Sequence, residues 1–373
     1  MAIYYVDGVN GNDSNAGTSP SAAVKTIAYG LSLMGDGDSL YIMNTGTYVL
    51  TTSLAVTLAA TAANGGALIT GANASGVVDG TKATITSSTN GVSIFTMAGC
   101  SYIKFRYLDI THTAATRGIG IQGITTASTN CTMSECIIDG CLDGVNNAVR
   151  QALVVLTKST IQNCTGIGCN GSQILIVLED VVLDKNTSHG FSSGGNSISG
   201  ATFTRCRITR NGGNGIYDSG TTRSNSYNIE GCTIANNVGD GINSASSTGV
   251  FAIQGNNNLL YGNAYNINCP SLTTNKTKAG SSWDYAAVGG SASGNYNNFP
   301  TGIHDIPLSA DPFTSASTGD FSLNNNTGGG AACKAAAYQS NGVAALDIGA
   351  LQSVTSGGGG GGANLLGAGT LVA

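Results

Sequence analysis

Charged side chains are scarce in this sequence: only 9% of its 373 residues are Asp, Glu, Lys or Arg, against about a quarter in ordinary globular domains. Proline (5), histidine (3) and tryptophan (1) are scarce too. With 15 basic and 20 acidic residues, a net charge of −5 and no basic cluster interleaved with aromatics, nucleic acid is not an expected partner. No run approaches the roughly eighteen apolar residues of a membrane span, so no membrane segment is expected. Met1-Ala-Ile-Tyr-Tyr5 lacks the basic start and long apolar stretch of a signal peptide, so the chain is expected to be made and kept in a cytoplasm, or to leave it by lysis or assembly. Ten cysteines are present without a CxxC pair, and Cys164 and Cys169 have no matching second pair or nearby His, so no zinc site is expected. Reduced core thiols are the expectation, ahead of a disulfide joining Cys136 to Cys141 or Cys164 to Cys169.

Glycine is abundant, at 55 residues, and it recurs in a pattern. Cys206-Arg-Ile208, Asn211 and Gly215-Ile216 are followed by Cys232-Thr-Ile234, Asn237 and Gly241-Ile242. Gly118, Gly144, Gly166, Gly190, Gly215 and Gly241, each followed by Ile, Val or Phe, extend one ladder at steps of 22 to 26. Ile110, Ile138, Ile161, Leu183, Ile208, Ile234 and Leu260 form a second, at steps of 22 to 28. Three residues after six of these seven rungs stand Cys141, Cys164, Asn186, Asn211, Asn237 and Asn263. A period in the twenties is a solenoid. Leucine-rich and helical repeats are excluded by the lack of their stripes, whereas short alternating runs such as Tyr227-Asn-Ile229 and Phe251-Ala-Ile253 are strands. The expected fold is all-β: a right-handed parallel β-helix of roughly twelve coils, about 60 Å long at about 4.8 Å per coil, with Gly and Asn supplying the left-handed corners.

Four regions follow. Residues 1–48 form an N-terminal strand, a polar loop and a capping helix, the helix read from the apolar stripe Val24, Ile27, Ala28 and Leu31 within Ala22 to Leu33. Residues 49–270 form the β-helix, 271–353 irregular C-terminal coils and cap, and 354–373 a poly-Gly linker and apolar tail. Asp7, Asn10, Asn12 and Asp13 have the oxygen-rich character of a Ca²⁺ cradle, or of a hydrogen-bonded Asx turn.

Tyr4-Tyr5-Val6, Gly11-Asn-Asp-Ser-Asn-Ala-Gly-Thr-Ser-Pro20, Lys25-Thr-Ile27, Gly37-Asp-Ser-Leu-Tyr41 and Gly46-Thr-Tyr48 resemble the entry section of the pectin-lyase-like, right-handed parallel β-helix superfamily. Ala310-Asp-Pro-Phe313, Gly319-Asp-Phe-Ser-Leu323 and Asp347-Ile-Gly-Ala-Leu-Gln352 resemble its closing segment. The resemblance implies the fold. It leaves function open, because the superfamily holds polysaccharide lyases, glycoside hydrolases, epimerases, adhesins and phage tailspikes.

Glycan cleavage needs paired carboxylates or an acidic Ca²⁺ cluster with a base, and the repeat brings none together at one ladder position, where Asp143 and Asp240 stand four coils apart. The catalytic candidates are Asp180 and Asp184 beside Lys185, His189 before Gly190, and Asp218 near Arg210 and Arg223, each with the plainer reading of a solvated rung or corner residue. Asp139 and Asp143 share a coil beside Arg150, and His304-Asp305 is an isolated pair. Trp283, Tyr285 and Tyr296 could stack on sugar rings or cover the last coils. Behind six glycines at 357–362, the uncharged stretch Ala363 to Ala373 offers Leu365, Leu366, Leu371 and Val372 for docking to a partner or another copy. The leading expectation is a non-enzymatic structural or receptor-binding component of a virion, of the tailspike, fibre or capsid-decoration type. It would touch other virion subunits or its own copies, a homotrimer being one arrangement, and surface polysaccharide. The alternative is an extracellular polysaccharide lyase or glycoside hydrolase, and Ca²⁺ is the one cofactor left open.

Overall fold

Alternation along a strand sends one side chain inward and the next outward, so a short strand such as Ile137–Asp139 buries only Ile138. Such a strand is stable only when its backbone is paired on both sides and its one apolar residue stacks on its equivalents. The computed structural model of the chain shows that arrangement. It describes residues 1–123, 130–147, 153–171, 176–193, 200–219, 225–245, 251–270, 282–284, 286–334, 336–337 and 347–350. Three parallel sheets of eleven, eleven and ten strands run the length of a solenoid, every strand between the ends pairing with those one coil before and after. The first sheet begins with Ile3–Val6, the second with Tyr48–Leu50 and the third with Leu54–Val56. No sheet has the twelve strands expected. Strands from outside 49–270, among them Ser39–Met43 and Ile306–Leu308, join the same sheets.

The aliphatic ladder is in register: Ile110, Ile138, Ile161, Leu183, Ile208, Ile234 and Leu260 pair in turn and are all fully buried. The glycine ladder needs correction. Register aligns Ile121, Val145, Cys169, Phe191, Ile216 and Ile242, so its early members are Gly120 and Gly168 rather than Gly118 and Gly166. The reason these are glycines is space, since a Cβ on Gly144 would lie 2.1 Å from the Ile161 Cγ2 and 2.6 Å from the Gly168 carbonyl oxygen of the next coil.

Corners are also made differently from expectation. Besides Gly and Asn, the left-handed conformation is taken by Tyr107 (φ 50), Glu135 (φ 56), Lys158 (φ 47), Asp180 (φ 54), Arg205 (φ 51) and Arg210 (φ 54). At Glu135, Lys158, Asp180, Arg205 and Arg210 the backbone N–H meets the next coil, as Lys158 N does with the Glu179 carbonyl at 2.9 Å. The left-handed state costs roughly 1–2 kcal/mol per residue, and the inter-coil bonds offset it.

After the second sheet the chain turns through a buried row of amides. Asn186, Asn211 and Asn237 each donate a side-chain N–H to the Oδ1 of Asn211, Asn237 and Asn263 at 3.0, 2.9 and 2.9 Å, and each also donates to a backbone carbonyl. Cys164 continues the row, its N–H donating to Asn186 Oδ1 at 3.1 Å. None of the ten cysteines is in a disulfide and all are buried, and burial pushes the thiols of Cys136, Cys164, Cys169, Cys269 and Cys333 up to about 12.

The expected helix is divided. Pro20–Ala22 is a single 3₁₀ turn and the α-helix is Ile27–Leu33, capped by the Thr26 hydroxyl accepting the Tyr29 N–H at 3.2 Å. Val24 is withheld from it because its backbone pairs with the first strand, through Tyr5 and Asp7 at 2.9 and 2.8 Å. Gly30 sets the helix against that strand, since a Cβ there would be 2.9 Å from Val6. At the other end a second core, with Phe313, Phe321 and Ile348, packs on Ala235 and Leu259 from outside the second sheet. No helix among the described residues is long and apolar enough to cross a membrane.

Two outcomes are expected. Asn211→Ala strands buried partners on both neighbouring coils and lowers stability by about 3 kcal/mol in urea melts, while Val238→Thr, at a 75% exposed turn residue, changes it by less than about 0.5 kcal/mol. A thiol reagent titrates no cysteine of the native protein and all ten after unfolding.

Candidate functional site

With the inward positions filled, chemistry is confined to the outward residues, one or two per strand. On the third sheet these fall into a single row: Thr96, Gln122, Asn146, Asn170, Ser192, Tyr217, Asn243, Asn268 and Asn297, each in register with the next, of which Ser192 is buried. Neighbours are about 4.8 Å apart. Two acids fix the amide orientations. Asp143 accepts from Asn146 Nδ2 at 2.7 Å and from the Ile167 N–H at 2.8 Å. Asp240 accepts from Asn243 Nδ2 at 2.5 Å, Asn268 Nδ2 at 2.7 Å and the Tyr265 N–H at 2.9 Å. In the middle of the row the Tyr217 ring stacks on His189, with centroids 4.5 Å apart and planes at 21°. The Asn214 N–H donates to His189 Nδ1 at 2.9 Å, which leaves the ring proton on Nε2. Burial lowers the His189 pKa, so this imidazole is neutral at neutral pH. The row is uncharged at its surface, rich in amide hydrogen-bonding groups and anchored by one aromatic pair.

The second sheet holds two neighbouring outward acids, Asp109 and Asp139, and the pKa of Asp109 is raised. Asp109 lies one strand and two residues from Asp139, roughly 8 Å between Cα atoms by strand spacing and rise. Burial, and then the negative charge of Asp139, raise the Asp109 pKa against the opposing pull of Lys82. Asp139 accepts from Gln162 Nε2 at 2.9 Å and Asn163 Nδ2 at 3.0 Å. Reading along the sequence pairs Asp139 with Asp143 instead, because the cross-coil partner is 30 residues away and shows only once the register is known. Among the described residues no three His, Cys, Asp or Glu side chains converge as a metal site.

The catalytic candidates do not come together. Asp180 is a corner residue paired with Arg205 at 2.8 Å, and Arg205 also holds Glu179 at 2.6 Å, an exposed cluster of small energetic weight. Asp184, expected to be solvated beside Lys185, is instead buried, held by Arg210 at 2.5 and 2.9 Å and by the Thr209 hydroxyl at 2.7 Å. Asp218 was expected near Arg210 on a rung edge. It lies inside, 1% exposed, because Ile216 and Asp218 flank the outward Tyr217, and the Ser193 and Ser244 hydroxyls donate to it at 3.0 and 3.1 Å. His189 is half-buried rather than a free corner residue.

The aromatic and Asx candidates fare similarly. Tyr296 packs against the core and donates its hydroxyl to Asp305 at 2.7 Å, while His304 pairs with Asp284 at 2.7 Å, so His304 and Asp305 serve different partners. Trp283 is in the strand Ser282–Asp284, and Tyr285, Leu365, Leu366, Leu371 and Val372 lie outside the described residues. Asp7 accepts from Val9 N, Asn10 N, Asn10 Nδ2 and Thr45 Oγ1, and Asp13 from Lys25 N, Thr26 N and Thr26 Oγ1. Asn12 Oδ1 accepts from Ser14. These oxygens close local turns, and the same bonds lower the Asp7 and Asp13 pKa values against the opposing effect of burial.

The fold is that of the pectin-lyase-like parallel β-helix proteins. Among solved structures the chain is similar to pectate lyase Pel9A, with 16% identity and a TM-score of 0.67 over 94% of this chain and 96% of that one. It is also similar to a rhamnogalacturonan lyase, with 15% identity and a TM-score of 0.50 over 69% and 74%. Identities this low establish the fold alone. No family model matches the chain, and no curated protein matches it.

Because the folded Asp109 pKa lies above its ordinary value of 3.8, its contribution to stability is present below that value and lost as pH rises through the folded one. Asp109→Asn is therefore expected to raise Tm at pH 7, with the gain vanishing as pH falls toward 3.8. A Tm difference that does not change with pH would remove the electrostatic account.

Proposed function

We propose that this protein binds an extended, hydroxyl-rich glycan along the outer face of the third sheet, and does so without cleaving it. The observation carrying this reading is the in-register row of amides around the Tyr217–His189 stack, a repeating set of donors and acceptors about 4.8 Å apart on a rigid face. Amides meet sugar hydroxyls with both a donor and an acceptor, and an aromatic ring covers the apolar face of a sugar. The acids beside the row are engaged in orienting it, which supports recognition over proton transfer. The polymers named for the two similar structures, pectate and rhamnogalacturonan, supply the first ligands to try.

As its setting we propose a structural or receptor-binding part of a virion. Support for this comes from the low-charge sequence, the rod and the apolar stretch 363–373, the last lying outside the described residues. A second reading, cleavage, is favoured by Asp109 beside Asp139, an acid whose pKa burial and its neighbour raise, next to one that accepts two side-chain amide N–H groups.

Affinity electrophoresis through gels containing polygalacturonate, rhamnogalacturonan or a neutral glucan tests the reading. At least one polymer is expected to retard the protein, and Tyr217→Ala to weaken that binding about tenfold, or about 1.4 kcal/mol. Equal mobility in every gel would sink it. Release of oligosaccharides, abolished by Asp109→Asn and not by Tyr217→Ala, would replace it with the second reading.

A further inference from the structure

Of the side chains that build the third-sheet row, His189 is the one whose ordinary pKa, 6.5, lies near neutrality. Its Nδ1 is held against the next coil. Gly213 passes so close that a Cβ there would lie 2.7 Å from Nδ1 and 3.0 Å from Cε1, and the Asn214 N–H donates to Nδ1 at 2.9 Å. A protonated Nδ1 would be a donor facing a donor, so an imidazolium cannot keep this contact. The stack with Tyr217 does not oppose the charge, because a cation over an aromatic face is attracted to it. The conflict falls on Asn214 alone.

Asn214 passes it on to the row. Its Oδ1 accepts the Asp240 N–H at 2.7 Å, and its carbonyl oxygen accepts the Gly190 N–H at 3.0 Å. Asp240 in turn accepts from Asn243 Nδ2 and Asn268 Nδ2, two amides of the row, and from the Tyr265 N–H. A proton on His189 therefore takes the acceptor from Asn214 N–H at the corner that seats the acid orienting those amides. Among the described residues the titratable groups facing the ring from the elements packed on it are Tyr217 in the stack, and Asp143 and Asp240 two coils to either side, about 10 Å away. Burial lowers the His189 pKa below 6.5, so the contribution of the neutral ring is whole above 6.5 and is lost as pH falls through the folded value.

We propose that His189 is an acid-operated latch on the third-sheet row: while neutral it holds Asn214, and through it the amides beyond, in place for a glycan, and on taking a proton it lets Asn214 go and the row releases its ligand. The latch rests on the glycan reading above and adds its regulation.

The test compares the full chain with His189→Gln, whose side-chain oxygen can accept the Asn214 N–H at any pH. Affinity electrophoresis is run from about pH 7.5 to about pH 4.5 in gels containing polygalacturonate, rhamnogalacturonan or a neutral glucan, and the protection of the Asn214 amide against hydrogen exchange is followed by NMR over the same range. The full chain is expected to lose about tenfold in affinity and about tenfold in Asn214 protection, with a shared midpoint below 6.5. His189→Gln is expected to bind more weakly than the full chain at neutral pH, having lost the stacked ring, and to change by less than about twofold across the range. Carboxyl groups of Asp143, Asp240 and the polymer titrate in both proteins, so parallel losses in the two overturn the latch and leave the glycan reading standing. Constant Asn214 protection across the range does the same, and it decides the matter on the full chain alone if His189→Gln does not fold. Equal mobility in every gel at every pH overturns the latch and the glycan reading together.

Discussion

The structure depends on one constraint: each coil must present to the next the same backbone groups in the same place. The row Asn186, Asn211, Asn237 and Asn263 meets it where the chain leaves the second sheet, because each amide bonds its neighbour's amide and a backbone carbonyl together. The bonds are buried, so a coil out of step would leave several donors and acceptors without partners. The row thereby holds register as well as adding stability, in a chain whose individual strands are often three residues long.

Register in turn decides what faces outward. A strand shifted by one residue would exchange Tyr217 for Asp218 at the surface and put the phenol inside. With register held, the third sheet displays a polar row broken at the buried Ser192, the second sheet displays Asp109 and Asp139, and the first displays exposed ion pairs centred on Arg106 and Arg205. The three faces differ chemically although they share one core. A repeat can carry such differences because outward positions have little bearing on stacking, whereas the inward Ile and Leu positions are held by packing against both neighbours.

The same logic limits catalysis. Groups that must act together have to be placed on adjacent coils at matching positions, and most of the acids here are committed elsewhere: Asp143 and Asp240 to amides, Asp184 to Arg210, Asp218 to interior hydroxyls. Asp109 and Asp139 are the exception on the described surface, two acids close enough for one to shift the other.

The sequence by itself determined the period, the inward aliphatic ladder, the amide row and the burial of reduced cysteines, because all of these repeat at one step and a repeat can be counted. It also showed the helix, although not that Val24 would be taken from it by the first strand. Only the tertiary structure decided which residues meet across coils. Gly120 replaced Gly118 in the ladder, Asp218 turned inward, His304 found Asp284 rather than Asp305, and Asp139 found Asp109. Each of these depends on register between segments 20 to 30 residues apart, whose connecting lengths vary from coil to coil. A change of one or two residues in such a connection exchanges inside for outside or moves a side chain by a whole rung, and spacing along the chain carries no mark of which has happened.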